Sequence, residues 1–141
     1  MKIDCLSLEI RILANCLYQK ALADLDDNLT IHQYWILEHI IVHNDHQVTQ
    51  KEIEELFSIK RSTANHMFQL MEKNGYIIRE VSCEDARMKV ILITEAGTRV
   101  HDRAFAQFQK FEMQLKKDFS EEELKTFRSM MLRIWNNANS E

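Results

Sequence analysis

Proline is absent from all 141 residues, and glycine occurs only at Gly75 and Gly97. So little of either leaves no flexible linker to mark a domain boundary. It also excludes the phosphate-cradling glycine loop, the dinucleotide fingerprint and the glycine-flanked serine elbow, so the sequence does not read as an enzyme and implies no cofactor. The acidic groups Asp24, Asp26, Asp27 and Glu121-Glu122-Glu123 fall in a loop and at a helix start, where solvation and dipole complementarity account for them. No apolar run approaches the roughly 18 residues that span a bilayer, and the opening MKIDCLSLEIR lacks the basic segment and cleavage site of a secretory signal, so a cytoplasmic protein without membrane partners is expected. Cys5, Cys16 and Cys83 are too few and too scattered for a disulfide framework or a zinc knuckle; they read as reduced thiols. A net charge of -4 argues against indiscriminate coating of nucleic acid, which requires many Lys and Arg against phosphates.

What is present reads as helices around one hairpin. Leu6, Ile10, Leu13 and Leu17 recur at helical spacing, followed by the polar break Asp24-Leu25-Asp26-Asp27-Asn28. Thr30 with Gln33 has capping-box spacing and opens a second helix with Ile36, Leu37, Ile40 and Ile41 on its apolar face. Thr49 with Glu52 repeats that spacing for a third, with Ile53, Leu56 and Phe57 expected inward. Two or three residues around Ser58 and Ile59 separate it from a fourth helix over about residues 61–74, a turn tight enough to make the two cross steeply as a helix-turn-helix. Ala64, Met67, Phe68 and Met71 face inward, leaving Arg61, Ser62, Asn65, His66 and Gln69 outward. Gly75 suits a left-handed helix end, and residues 76–81 and 89–94 form a hairpin with Arg87 and Lys89 at its tip. The fold class expected is mainly α with a small β-hairpin wing (α+β), a winged helix-turn-helix with flanking terminal helices.

The outward side of the fourth helix carries the chemistry of base reading: Arg forks onto guanine, Asn and Gln onto adenine, Ser and Thr onto phosphate or base. Residues 58–90 hold about six basic side chains against about four acidic ones. The expected contacts to double-stranded DNA are Lys60, Arg61, Ser62, Thr63, Asn65, His66, Gln69, Arg87 and Lys89.

Leu29-Thr30 with Gln33, Leu56, Arg61-Ser62-Thr63, Met71-Glu72 with Gly75, Arg79, Asp85 with Arg87, and Leu92-Ile93-Thr94-Glu95-Ala96-Gly97 together resemble the MarR family of bacterial transcriptional regulators, by motif over about residues 29–97. The resemblance implies that Arg87 enters a minor groove, that Asp85 orients the wing, and that the protein is a homodimeric repressor with interlocking terminal helices. The apolar stripe Val100, Ala104, Phe108, Phe111 and Leu115, and a last helix capped by Ser120 and Glu123 and bearing Leu124, Phe127, Met131, Ile134 and Trp135, agree with burial against a second copy. Residues 1–28 and 98–141 are then the dimerisation region and 29–97 the DNA-binding region of one compact unit. Its operator would be pseudo-palindromic.

A small-molecule effector is expected between core and wing, with Tyr18, His32, Trp35, His39 and Phe105 as candidate walls. His39 and His43 sit four apart on one helix, with Glu38 and His46 nearby; as zinc ligands they need a third donor from another segment, so no metal is assigned. Cys5 and Cys16 are candidate redox thiols, but buried structural roles fit them better. The competing reading is a dimeric winged-helix protein-interaction module, or an anti-regulator without strong DNA binding.

Overall fold

The computed structural model describes residues 4–21, 23 and 28–140. Of the expected polar break, Asp24, Leu25, Asp26 and Asp27 lie outside the described residues. The elements are α1 (Leu6–Ala21), α2 (Ile31–Val42), α3 (Gln50–Leu56), α4 (Arg61–Lys73), β1 (Ile77–Val81), β2 (Lys89–Ile93), α5 (Glu95–Lys116) and α6 (Glu121–Ala138), so the chain is mostly helical with one antiparallel hairpin. None of the described helices is long and apolar enough to cross a membrane.

Helix α2 is apolar around most of its circumference, and such a helix belongs inside. Its start is fixed by the expected capping box: Thr30 Oγ1 accepts the Gln33 amide and Gln33 Oε1 accepts the Thr30 amide. Tyr34, Ile36 and Leu37 are buried and share the core with Ile53 of α3, Phe68 and Met71 of α4, Ile91 of β2, and Val100 and Ala104 of α5. Each such side chain contributes about 1.5–3 kcal/mol on leaving water. His101 is also buried; one ring nitrogen meets Glu38 across 63 residues of sequence, and the ring stacks on Tyr34 at 5.5 Å.

The helix-turn-helix and wing follow from local signals. Thr49 caps α3 by accepting the Glu52 amide, but the Glu52 carboxylate does not reach back as its spacing suggests; it turns to His39 and His46 instead. Leu56 is 51% exposed rather than inward, because three positions past Ile53 it lies about 60° round the helix at the end of a seven-residue element. With no glycine there, Ser58 itself takes the left-handed conformation, φ 50°, that turns the chain into α4. Ala64, Phe68 and Met71 are buried as expected, and Met67 is half-buried. Gly75, φ 75°, closes α4: its amide donates to Glu72 O and the Tyr76 amide to Met71 O. The hairpin runs from Ile77 paired with Ile93 to Val81 paired with Lys89, and the Ile91 amide reaches Val48 O, adding the residues before α3 as a short third edge.

Thr94 and Gly97 join the wing to α5. Thr94 Oγ1 accepts the Gly97 amide and the Thr94 amide donates to Tyr76 O, while a Cβ on Gly97 would stand 2.1 Å from that same carbonyl oxygen. Only glycine fits so close a backbone approach.

Contacts divide the chain into two units, Met1–Phe108 and Gln109–Glu141. In the first, α1 buries only Ala21; Leu6, Ile10 and Leu13 stay exposed. In the second, Asp118 turns the chain at φ 65° and the Ser120–Glu123 capping box opens α6. No residue of α6 is buried, and Phe127, Met131 and Trp135 are each about half exposed or more.

Candidate nucleic-acid interface

The exposed side of α4 and the hairpin tip meet in one open cleft of about 680 Å³, lined by Arg61, Ser62 and Asn65 of α4, Arg87, Met88 and Lys89 of the wing, and Thr49, Gln50, Lys51 and Glu54 at the start of α3. Four cationic side chains, Lys51, Arg61, Arg87 and Lys89, face a single carboxylate there. A net-acidic chain has thus gathered a local positive surface. Lys60 precedes α4 without a side-chain cap, so the first amides of that helix add their partial positive charge beside Arg61 and Ser62. Lys60 is exposed just before that helix, and Thr63, His66 and Gln69 are exposed on it, all outside the cleft lining.

At the tip, Asp85 Oδ1 accepts the Arg87 amide at 3.0 Å and its Nε at 3.3 Å. Those two bonds, the backbone one foremost, hold the Asp85 carboxyl below its usual range, while the Arg87 side chain remains 90% exposed. The loop is therefore pinned at its base and its guanidinium held out into solvent.

Behind the cleft-lining Asn65 and Gln50 lies Arg79 of β1, which the sequence marks as a basic residue and as part of the family resemblance but to which it assigns no role. Its side chain is 10% exposed; Nη2 donates to Glu72 at 2.7 Å, Nη1 to Asn65 Oδ1 at 2.7 Å and to Gln50 Oε1 at 3.3 Å, and the guanidinium lies 5.8 Å from the Phe68 ring centre. One side chain thus ties the wing to both helices of the helix-turn-helix. The Arg79 hydrogen bond and charge hold Glu72 below the ordinary carboxylate range. Asn65 is half-buried, and its amide oxygen accepts one bond from Arg79, which fixes the orientation of the amide and leaves a second lone pair on the oxygen.

The expected effector walls do not make one group. Tyr18 and His32 are ring neighbours at 5.5 Å, with Phe57 6.4 Å from His32. Trp35 packs on Tyr34 and Phe108, Phe105 on His101, and His39 is held by Glu52. Cys5, just before α1, and Cys16 on it are exposed rather than buried, as are most of the apolar residues of that helix; Cys83 is exposed on the wing. The Ser7 hydroxyl, and then the Leu8 amide, lower the Cys5 pKa.

Comparison with known proteins supplies the context for this geometry. Residues 27–88 match the model of the MarR family. An uncharacterised HTH-type transcriptional regulator of Bacillus subtilis, YwoH, is 29% identical over 80 residues, 57% of this chain and 58% of that relative, so the chain spans little more than half of its length. Among solved structures, Staphylococcus aureus MepR in complex with DNA superposes with a TM-score of 0.85 at 22% identity, over 94% of this chain and 96% of that one. Streptomyces coelicolor PcaV, a transcriptional regulator crystallised with its natural ligand, gives 0.82 at 19% identity, over 99% and 100%.

Proposed function

We propose that this chain is a winged helix-turn-helix transcriptional regulator of the MarR family, a cytoplasmic homodimeric repressor whose grip on a pseudo-palindromic operator is modulated by a small ligand. The observation that carries the reading is the shared cleft. Arg61 and Ser62 on the helix, and Arg87 and Lys89 on the hairpin, line the same opening, so α4 in a major groove leaves Arg87 at the neighbouring minor groove. The MepR complex with DNA supports that docking by fold. The dimer is supported by the exposed apolar residues of α1 and α6, for which a second copy is the economical cover. Ligand control rests on the PcaV complex and on Tyr18, His32 and Phe57, the aromatic group that α1, α2 and the end of α3 bring together.

Fluorescence anisotropy with the promoter upstream of the protein's own gene tests the reading. Binding is expected to fall steeply with salt, and Arg87→Ala to cost affinity while leaving the thermal midpoint in place, because that side chain is 90% exposed. Salt-insensitive binding, or an Arg87→Ala protein that binds as wild type, would contradict it.

A further inference from the structure

We propose that His43, Asp45 and His46, in the turn between α2 and α3, form a binding site for a divalent transition-metal ion of the zinc class. One donor atom from each of the three lies within 4.8 Å of the other two. Asp45 Oδ1 and His46 Nδ1 are 3.1 Å apart. Zinc bonds of about 2.0–2.2 Å at tetrahedral angles set neighbouring donors about 3.3 Å apart. That pair therefore needs a shift of tenths of an ångström to close on an ion, and His43 somewhat more.

The surroundings prepare the ligands. His46 faces the carboxylate of Glu52 through Nε2, 3.2 Å from each oxygen. Both ring nitrogens therefore face a carboxylate: an ion takes the place of the proton between Nδ1 and Asp45, while Glu52 holds the one on Nε2 and raises the basicity of the ring. Glu52 is itself fixed by His39 Nε2 at 2.7 Å, and the His39 ring lies 4.3 Å from that of His43. Glu52 thus positions one ligand ring and His39 the other. Sequence spacing pairs His39 with His43 and asks for a donor from another segment; in the structure His39 is bonded to Glu52 instead, and the donors that gather with His43 are Asp45 and His46 of the turn. Two imidazoles and one carboxylate favour borderline ions such as Zn²⁺ over Mg²⁺ or Ca²⁺, and three protein donors leave a fourth position to water. Binding replaces any proton on His46 Nδ1 and releases it to solvent. The turn runs directly into Val48 and Thr49, which pair with the wing strand and cap α3, so an ion fixes the entry to the reading module.

The test uses the full-length protein, stripped with chelator and titrated with Zn²⁺ against a chromophoric competitor, with helicity followed by circular dichroism. One ion per chain is expected, with Glu52→Gln weakening binding about 10–100-fold, the His43→Ala/His46→Ala double variant abolishing it, and His66→Ala leaving it unchanged. Absence of binding by the wild type, or undiminished binding by the double variant, would overturn the proposal. X-ray absorption of the Zn²⁺-loaded wild type needs no variant: two imidazoles and no sulfur are expected, and fewer imidazoles or a sulfur ligand would count equally against it.

Discussion

Arg79 joins the parts of the candidate interface, because its guanidinium, reaching from the wing, bonds α3 and α4 at once. Removing it leaves Glu72 without its cation and Asn65 without its donor. With the pair only partly screened from water, Arg79→Ala is expected to cost about 2 kcal/mol of unfolding free energy, read from denaturant midpoints, and to weaken operator binding although Arg79 itself lines no part of the cleft. An unchanged midpoint would show the contacts to be incidental. The same pair gives a pH signature. Glu72 has its carboxyl pKa lowered by folding, so the stabilisation is complete above the ordinary carboxylate value near about 4.3 and is lost as the pH falls through the lower, folded value. Wild type should therefore lose its advantage over Glu72→Gln on acidification; a constant gap in melting temperature would contradict this. At this scale sequence reading saw least. Arg79 finds Gln50 across 29 positions and His101 finds Glu38 across 63, distances over which no local pattern operates.

Elements were legible wherever their signal is local. Thr30 with Gln33 and Ser120 with Glu123 make the capping boxes their spacing announces, and Gly75 ends α4 in the left-handed conformation. The Asp-x-Arg wing tip and the Thr-x-x-Gly that follows the second strand also have local physical causes: Asp85 binds the Arg87 backbone, and Gly97 makes room for the Tyr76 carbonyl. Gly97→Ala should consequently destabilise by about 2–3 kcal/mol, since the carbonyl it would strike is backbone and already accepts the Thr94 amide. A thermal midpoint within a degree of wild type would refute that account of the motif. The third box failed for an equally physical reason: Glu52 had stronger partners in His39 and His46 than the free amide of its own helix, and those histidines come from outside it. Leu56 marks the other limit, since a seven-residue helix offers too few turns for periodicity to fix which side is covered.

For the whole molecule, the periodic apolar residues of α1 and α6 told that these stretches are helical but not what covers them. Within the chain they are left largely in water, a state that forgoes about 1.5–3 kcal/mol for each large side chain and that a second copy would relieve. Light scattering on the eluting protein should give twice the 16.8 kDa chain mass, and Leu13→Glu with Trp135→Glu should shift it toward one. A wild-type monomer at micromolar concentration would remove the premise of paired reading heads. The reading of base edges itself is tested most directly by selecting duplexes from a random pool with the full-length protein and sequencing what it retains. We expect an inverted repeat whose half-site centres lie about one helical turn, 10–10.5 base pairs, apart; retention of no motif, or of a single asymmetric half-site, would contradict the account.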